Sequence, residues 1–539
     1  MAYFSLHAYD ADVWVQEFRG LNQADVGLNP DIRYAAEVEN VETPRGILQP
    51  HAASVLMDGE FDGRVETLAV FHRRWYTGNG SKNWYICAAG GNLYYRQAGD
   101  NKYWSPIGLP SGVEAFQSDV WSWCTYETAA TDEDENDITV DIMLISNELD
   151  GMYMIVPPDR PTTWGDLKLK VWSTVNDGTW GDAKSPQWHI IPIDTNGKKF
   201  GVIARYAERI WGGAIPDDPD MLMYSRPYDP TDWTAAGPDE EPEDGAGDIL
   251  QPSWDGDKFY ALKAFGDQLL AFKKNHIWRV MGTNPGEYTF KEQYGDGTAY
   301  FNTIAVDGER VFMLGDDGMI IYDGMSSAPY MREAVEKIWR TVNREALDQS
   351  CAVLFKKRYY LSFPVGTSTV NNAMLVYNLE EGTILYYTDS HVESFLPADD
   401  VLFATSSSLP GRILTLLYDS WESGMASGAA TKWVSPWMDF AYKRIVKGGF
   451  DFYFWPEVKT DAVTLKISIQ TEKKTKTKMY TVNPRTAEEL AAGKEHKMKR
   501  LHFGGAGRKF RIIIESAEGI TAPWRLVGGV QIVVETDPD

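Results

Sequence analysis

The sequence predicts an all-β protein, with a β-propeller-like body of about six or seven blades and a C-terminal β-sandwich. Three observations lead to this prediction. Aromatic residues make up 13% of the chain, with 20 Trp among them, and aromatic side chains favour the half-buried surface of a sheet. Strand-like phrases recur roughly every 40–50 residues, which is the spacing of propeller blades. The final part of the chain changes to longer alternating strands.

Composition and charge narrow the class of protein. A chain of 539 residues is too long for one ordinary core, so two or more domains are expected. The 77 acidic and 52 basic residues give a net charge of −25, which disfavours a tight grip on nucleic-acid phosphates. An acidic surface can still form a wall past which DNA slides, and plain solubility is the alternative interpretation.

Cysteine usage and hydropathy exclude further classes. The three cysteines, Cys87, Cys124 and Cys351, form no CxxC pair. This is unlike a disulfide scaffold or a thiolate zinc site, and it suits synthesis in a reducing compartment. The N-terminus has neither the basic nor the apolar part of a secretion signal. Because no apolar run of about 18 residues occurs, no membrane insertion is predicted.

We divide the chain into three predicted parts. Residues 1–60 show little strand periodicity and are expected to form an N-terminal arm laid over other surfaces. Residues 61–425 carry the repeats and are expected to form the propeller. Residues 431–539 are expected to form the sandwich, because alternating strands in a segment of about 100 residues suit two packed antiparallel sheets.

Each predicted blade combines an apolar strand, a Gly or Asp/Asn turn, a Tyr-rich strand and a Trp. The clearest unit covers residues 84–104, with Gly90-Gly91-Asn92 between two alternating runs. These residue types accept the positive φ of a tight turn. Six further units are marked by turns at 150–151, 216–219, 266–267, 317–318, 381–382 and 410–411. Radial stacking of small sheets protects their edges; a β-helix or a large twisted sandwich is the alternative.

Four segments depart from the repeat. An apolar stripe at helical spacing predicts one helix over residues 332–347. The acidic stretch 238–248 has no apolar content and is predicted to be a low-complexity loop. Lysine-rich runs at 472–478 and 494–500 are interpreted as solvated hairpin tips and edge-strand protection. A binding patch is the alternative interpretation of the two runs.

The sequence nominates no catalytic, cofactor-binding or metal-binding residue. The motifs GxxxxGK[ST], HExxH, GxSxG and GxGxxG are absent. Asp132, Asp134 and Asn136 alternate as in calcium loops. Asp137 replaces the required Gly, however, and Met143 stands where a bidentate Glu is needed. Acidic residues are too plentiful for a glycosidase pair to be chosen, so we expect a protein that is not an enzyme and takes no cofactor.

Phrases in the N-terminal and middle parts resemble one protein family. These phrases cover residues 18–22, 32–50, 208–233, 261–282 and 312–324. They are similar to sequences of the packaged-DNA stabilisation proteins of tailed bacteriophages, which are the tail hub or nozzle proteins of short-tailed phages. The resemblance covers residues 15–420 and consists of phrases rather than a catalytic motif. The C-terminal sandwich is not part of the common pattern.

The resemblance implies a mechanism without chemistry. Several copies, with six as the expected number, would form a ring beneath the portal and adaptor proteins. The ring would close the channel after packaging, retain the packaged DNA without sequence-specific binding, and seat the next tail part. The N-terminal arm would tie one subunit to its neighbour. The protein would be made in the cytoplasm of the bacterial host and would reside in the tail of the virion.

Two functions of other classes remain open. A receptor- or carbohydrate-binding tail propeller would use exposed Trp and Tyr on one face. A polysaccharide-cleaving propeller, which the sequence favours less, would show a pair of carboxylates in a pocket.

Overall fold

The computed structural model describes residues 9–24, 31–57, 59–74, 81–98, 103–131, 137–156, 188–439, 446–486, 488–489 and 497–536. Within these ranges, short antiparallel strands dominate. Seven four-stranded sheets succeed one another along the chain, and two further sheets pack into a sandwich. The predicted all-β class, with a propeller-like body and a C-terminal sandwich, is confirmed.

The N-terminal segment supplies strands to both domains. Its strands are β1 (Tyr9–Val15), β2 (Glu37–Glu39), β3 (Val41–Glu42), β4 (Gln49–Pro50) and β5 (Ser54–Leu56). β1 and β2 pair with strands of the C-terminal sandwich, and β5 pairs with the last blade, whereas β3 and β4 pair with each other. Residues 1–60 are the segment expected to form an arm over other surfaces; within it, β1, β2 and β5 complete sheets of this same chain.

The first six blades each take four consecutive strands, so every pairing is between neighbours in sequence. Blades one to three contain β6 (Val65–Arg74), β7 (Ser81–Ala89), β8 (Asn92–Gln97), β9 (Ser105–Pro106), β10 (Ser122–Thr131), β11 (Asp137–Asn147), β12 (Gly151–Val156), β13 (His189–Ile193), β14 (Val202–Tyr206), β15 (Arg209–Gly213), β16 (Met221–Tyr224) and β17 (Gly247–Leu250). The remaining blades contain β18 (Phe259–Phe265), β19 (Gln268–Lys273), β20 (Ile277–Met281), β21 (Thr289–Gln293), β22 (Ala305–Val306), β23 (Val311–Gly315), β24 (Gly318–Tyr322), β25 (Ser327–Pro329), β26 (Cys351–Phe355), β27 (Arg358–Phe363), β28 (Ala373–Asn378), β29 (Thr383–Thr388), β30 (Val392–Ala398), β31 (Val401–Ser406) and β32 (Ile413–Leu416). The seven predicted repeat units fall in seven different blades.

The turn in the clearest repeat unit requires glycine. Gly90 and Gly91 connect β7 to β8 with φ of 59° and 74°. Two consecutive residues with positive φ form the mirror-image turn that matches the right-handed twist of a hairpin. A Cβ added at Gly90 would lie 2.0 Å from the carbonyl oxygen of Asp62, so glycine is needed for space as well as for conformation.

A non-local strand closes the ring of blades. Contacts between innermost strands link most neighbouring blades, and β30 of blade seven contacts β6 of blade one. β5 then pairs antiparallel with β32, with Val55 opposite Thr415 and Leu56 opposite Leu414. The fourth strand of the last blade therefore comes from the N-terminal segment, which links the two ends of the propeller by backbone hydrogen bonds.

The part of the sandwich that follows the propeller starts with the strand at Thr431. Its later strands are β33 (Thr431–Val434), β34 (Met438–Asp439), β35 (Val446–Val458), β36 (Val463–Thr471), β37 (Thr475–Val482), β38 (Lys499–Phe503), β39 (Lys509–Ser516) and β40 (Trp524–Thr536). One sheet has the order β1-β40-β35-β38, and the other has the order β2-β33-β39-β36-β37, with β34 also paired to β39. Both sheets therefore depend on a strand from the opposite end of the chain.

One hydrophobic core joins the propeller to the sandwich. It contains Leu361 and Leu375 of blade six together with Phe452 and Ile532 of the sandwich. Phe18 of the N-terminal segment is 0% exposed and belongs to the same cluster. Because the packing is continuous across the three parts, separating the two domains would expose apolar surface on both.

The predicted helix over residues 332–347 is not continuous: residues 332–339 and 344–347 are helical, and the chain leaves the helix between them. The chain breaks there because Val342 forms a β-bridge with Val365 and the Asn343 amide donates to the Pro364 carbonyl at 3.0 Å. Helical turns of the described chain include the 3-10 helices Pro44–Gly46, Pro242–Asp244, Pro285–Glu287, Phe301–Thr303, Arg332–Val335 and Arg344–Gln349, with α1 at Glu336–Trp339 and α2 at Ser420–Ser423. Among the described residues, no helix is long and apolar enough to cross a membrane.

The acidic stretch 238–248, predicted to be a low-complexity loop, is ordered. It contains the 3-10 helix Pro242–Asp244 and the first residues of β17. The buried guanidinium of Arg209 donates to the carbonyl oxygens of Glu243 and Gly245. A buried cation needs hydrogen-bond acceptors. The hydrogen bonds from Arg209 to these backbone carbonyls therefore order the stretch, although it has few apolar side chains.

Candidate functional site

One cavity of the propeller, which we call the funnel, lies where the innermost strands begin. Its volume is about 500 Å³. In each blade the innermost strand starts at the same end, so residues at or just before these starts converge on the axis. Each of the seven blades contributes, through Glu66, Val120, Val202, Tyr260, Asn302, Gln349 and Glu393.

A single arginine organises the charged side of the funnel. Arg64 donates to both carboxylate oxygens of Glu393, and its Nε lies 3.7 Å from a carboxylate oxygen of Glu66. The Glu393 side chain is 5% exposed. Burial raises the pKa of Glu393 above its ordinary value, and the Arg64 guanidinium limits this rise. The ion pair joins blade one to blade seven, at the seam where the ring closes.

The opposite side of the funnel is apolar. Val202, Ile215 and Phe259 of blades three and four line it and are buried. Glu148 and Asp348 lie exposed at the lining, as does Lys258. The funnel thus offers one apolar wall and one wall of paired charges. Because Glu66 and Glu393 share Arg64, the two carboxylates do not form the free acid and base that glycoside hydrolysis uses.

A group of possible metal ligands lies between blades three and four. Ligand atoms of Asp255, Asp257 and His276 are within 4.8 Å of one another. The imidazole of His276 contacts Glu292 through Nδ1 at 2.5 Å and Asp255 through Nε2 at 3.1 Å. Burial lowers the pKa of His276, but these two carboxylates together raise it by a larger amount, so the net shift of the pKa is upward. A doubly protonated imidazole, which donates to both carboxylates, explains the cluster without a metal.

The structure places the remaining sequence-predicted features as follows. The calcium-like stretch 132–136 and Trp164 lie outside the described residues. Trp233, at the end of the third unit, is buried with its ring centroid 4.8 Å from that of Phe200. The first lysine-rich run forms the β36–β37 turn and the edge strand β37, as the edge-protection interpretation predicted.

Sequence reasoning missed every residue of the funnel. Arg64 and Glu393 are more than three hundred residues apart in sequence, and the fold alone brings them together. A usable signal did exist, because each blade places one funnel residue at or just before the start of its first strand. Alignment of the seven units on their first strands would have marked these positions.

Comparisons with known proteins identify no family for this chain. No family model matches the chain, and no curated protein matches it. Among solved structures, 145 chains match. One is the crystal structure of BBS1N in complex with ARL6DN, soaked with lead; it has 10% identity and a TM-score of 0.36, and the match covers 68% of this chain and 98% of that chain. At this TM-score the description of the propeller rests on the strand pairing itself.

Proposed function

We propose that this chain is a structural, non-enzymatic subunit of a bacteriophage tail, a hub or nozzle protein. Several copies, with six as the expected number, would form a ring that extends and closes the DNA channel below the portal and adaptor proteins. The ring would retain packaged DNA and seat further tail parts. The protein would be made in the bacterial cytoplasm and reside in the virion, without membrane insertion or cofactor. The resemblance of residues 15–420 to this family supports the proposal.

The continuous core is the structural observation that carries the proposal. Buried residues of the propeller and of the sandwich belong to one hydrophobic cluster, which also contains Phe18 and Leu21 of the N-terminal segment. A subunit that holds DNA under pressure must transmit load without relative motion of its domains. Large hydrophobic interfaces suppress such motion, so this chain suits a rigid, wedge-shaped member of a closed ring.

DNA would pass through the ring of subunits rather than through the propeller axis. The funnel of about 500 Å³ cannot admit a double helix, whose major groove alone is about 12 Å wide. The wall of the channel would therefore be an outer surface of each propeller. With 77 acidic and 52 basic residues in the chain, a net negative wall would keep the duplex mobile within a Debye length of about 8 Å.

The test of the proposal is the position and copy number of the protein in virions. A gold label on a C-terminal tag should lie on the tail axis, in a ring below the portal. Mass photometry of tails released from virions should give a ring whose mass is a multiple of the 60.7 kDa chain. A label on the capsid surface, or a protein absent from virions, would contradict the proposal.

Two exposed aromatic residues favour a second candidate, a receptor- or carbohydrate-binding tail propeller. Trp254 is 90% exposed and Tyr294 is 83% exposed. They follow β17 and β21, so each begins a connection from one blade to the next. Exposed indole and phenol rings can stack on sugar rings. The polysaccharide-cleaving alternative is supported less, because Arg64 is shared between the two carboxylates Glu66 and Glu393.

Removal of the two rings separates the two candidates. The double variant Trp254→Ala/Tyr294→Ala should leave virion assembly unchanged if the chain is a hub. If it is a receptor-binding propeller, the same virions should lose adsorption to host cells. The control is Tyr103→Ala, which removes another exposed ring from a different blade.

A further inference from the structure

A second cavity, which we call the basic pocket, lies between the two sheets of the sandwich. Its volume is about 290 Å³. Phe450 and Phe503 come from one sheet, and Ile469 comes from the other. Lysines of the β36–β37 hairpin form its rim, and residues 504–506 form its remaining wall. The basic pocket is remote from the funnel and shares no residue with it.

The floor of the basic pocket is apolar. Phe450, Ile469 and Phe503 are almost completely buried, with at most 2% exposure. Phe450 and Phe503 are cross-strand partners on β35 and β38, so their positions are fixed by backbone pairing. An apolar floor beneath an opening attracts a ligand that has an apolar body.

The rim of the basic pocket carries three lysines. Lys473, Lys474 and Lys476 are exposed, and within the described part of the chain none lies in an ion pair. The chain as a whole has a net charge of −25, so a cluster of three free ammonium groups is a local exception. Such a cluster favours a ligand with an acidic group.

Glycines keep the pocket open. A Cβ added at Gly504 would meet nothing within 4 Å, and one added at Gly505 would lie 3.5 Å from Cε2 of Phe450. A side chain at Gly505 would therefore project onto the apolar floor. Protection of an edge strand explains why lysines occupy β37, but it explains neither the cavity beneath them nor the two glycines in its wall.

We propose that the basic pocket binds a small organic anion with an apolar body. The acidic group would contact Lys473, Lys474 and Lys476, and the body would lie against Phe450 and Phe503. The volume is at the lower limit of small-molecule sites, which are about 300–1,000 Å³, so the ligand is small. This site is independent of the proposed role in a tail, because it depends on the sandwich alone.

A pair of fluorescent probes tests the charge requirement. The anion 8-anilinonaphthalene-1-sulfonate should bind the full-length protein at least about tenfold more tightly than neutral N-phenyl-1-naphthylamine, since charge-assisted contacts are the strong ones. The triple variant Lys473→Gln/Lys474→Gln/Lys476→Gln should lose this difference. The control Lys291→Gln/Lys337→Gln/Lys357→Gln removes three exposed lysines outside the sandwich and should keep it. Equal binding of the anion to both triple variants would overturn the proposal.

A second variant tests the cavity without changing charge. Gly505→Leu should abolish binding of the sulfonate, because the new side chain would cover Phe450. Gly505→Ala, which adds a single carbon, should weaken binding less, and it guards against a folding defect in the larger variant. Unchanged binding to a folded Gly505→Leu protein would overturn the proposal. Octanoate and octyl phosphate should displace the probe, and equal displacement by octanol would contradict the role of the lysines.

Discussion

The propeller and the sandwich are built by opposite rules. Each of the first six blades takes four consecutive strands, whereas each sheet of the sandwich takes one strand from the N-terminal segment and the rest from beyond residue 430. Blade seven follows the second rule, because β5 completes it from a distance. Local pairing costs little loop-closure entropy, and non-local pairing costs more. The N-terminal segment therefore supplies a strand to each sheet that neighbouring strands cannot complete, which are blade seven and the two sheets of the sandwich.

The difference predicts that the first 57 residues are needed by both domains. Their removal should prevent cooperative folding of the propeller and the sandwich in the remaining chain, because β1, β2, β5 and the buried Phe18 are lost together. Circular dichroism and limited proteolysis of the truncated chain measure this, and co-expression of residues 1–57 as a peptide should restore the fold. A truncated protein that unfolds cooperatively at the temperature of the full chain would break the comparison.

A buried ion pair joins the N-terminal segment to blade six, and it provides a second test of how far the propeller depends on that segment. Glu42 and Arg358 are each 5% exposed at the side chain, with Nη1 and Oε1 3.5 Å apart. The Tyr387 hydroxyl donates to the same oxygen at 3.0 Å. Burial raises the pKa of Glu42 to about 7, against the effect of Arg358. Burial therefore outweighs the charge of Arg358, which only keeps the rise in the pKa of Glu42 from being larger.

Arg358→Met should lower the free energy of unfolding by about 3–5 kcal/mol near pH 8, because it leaves a buried charge unpaired. Protonation of Glu42 relieves that charge. Because the pKa of Glu42 is higher in the folded than in the unfolded state, protonation of Glu42 stabilises the fold. This contribution is fully present below the pKa of the unfolded state and is lost as the pH rises through about 7. The cost of the substitution should accordingly be smaller near pH 5. The matched control is Arg340→Met, whose pair with Glu336 is exposed and whose loss should cost less than about 1 kcal/mol. Equal costs in urea titrations would contradict the assignment.

The same contrast explains how much of the fold the sequence could predict. The seven units were found because turn residues such as Gly90-Gly91 repeat at even spacing. The strand Tyr9–Val15 was missed although it alternates, because its partner Trp524–Thr536 lies at the other end of the chain. The helix over 332–347 was predicted wrongly, since helical spacing says nothing about the bridge from Val342 to Val365.

Candidate sites were less predictable than strands. Arg64 and Glu393 carry no motif, and their ion pair exists because the ring closes. The acidic stretch 238–248 lacks apolar residues and so predicts a loop, whereas its carbonyl oxygens are ordered by a distant guanidinium, that of Arg209. The basic pocket combines a lysine-rich run, which the sequence showed, with a floor formed by two sheets, which it could not show.

A proline at the closing strand tests the non-local edge of blade seven. The Met57 amide donates to the Ile413 carbonyl at 2.8 Å, just beyond β5. Met57→Pro removes this donor and should lower the free energy of unfolding by about 1–3 kcal/mol. Hydrogen exchange should then be faster in β32 than in β27 of blade six. A uniform change in exchange across all blades would show that β5 does not act as a separate closing element.

The smallest expected effect belongs to a contact within the locally paired region, and its sign depends on pH. The net pKa of His276 is raised, since Glu292 and Asp255 outweigh the effect of burial. Its charged form therefore stabilises the fold below the unfolded value of about 6.5, and the contribution is lost as the pH rises through the folded pKa. His276→Gln should accordingly reduce the melting temperature more near pH 6 than near pH 9. His391→Gln is the control, because its partner Asp389 is 86% exposed. If His276→Gln cost the same at both pH values, the imidazole would be neutral, and the cluster with Asp255 and Asp257 would again be open to a metal ion.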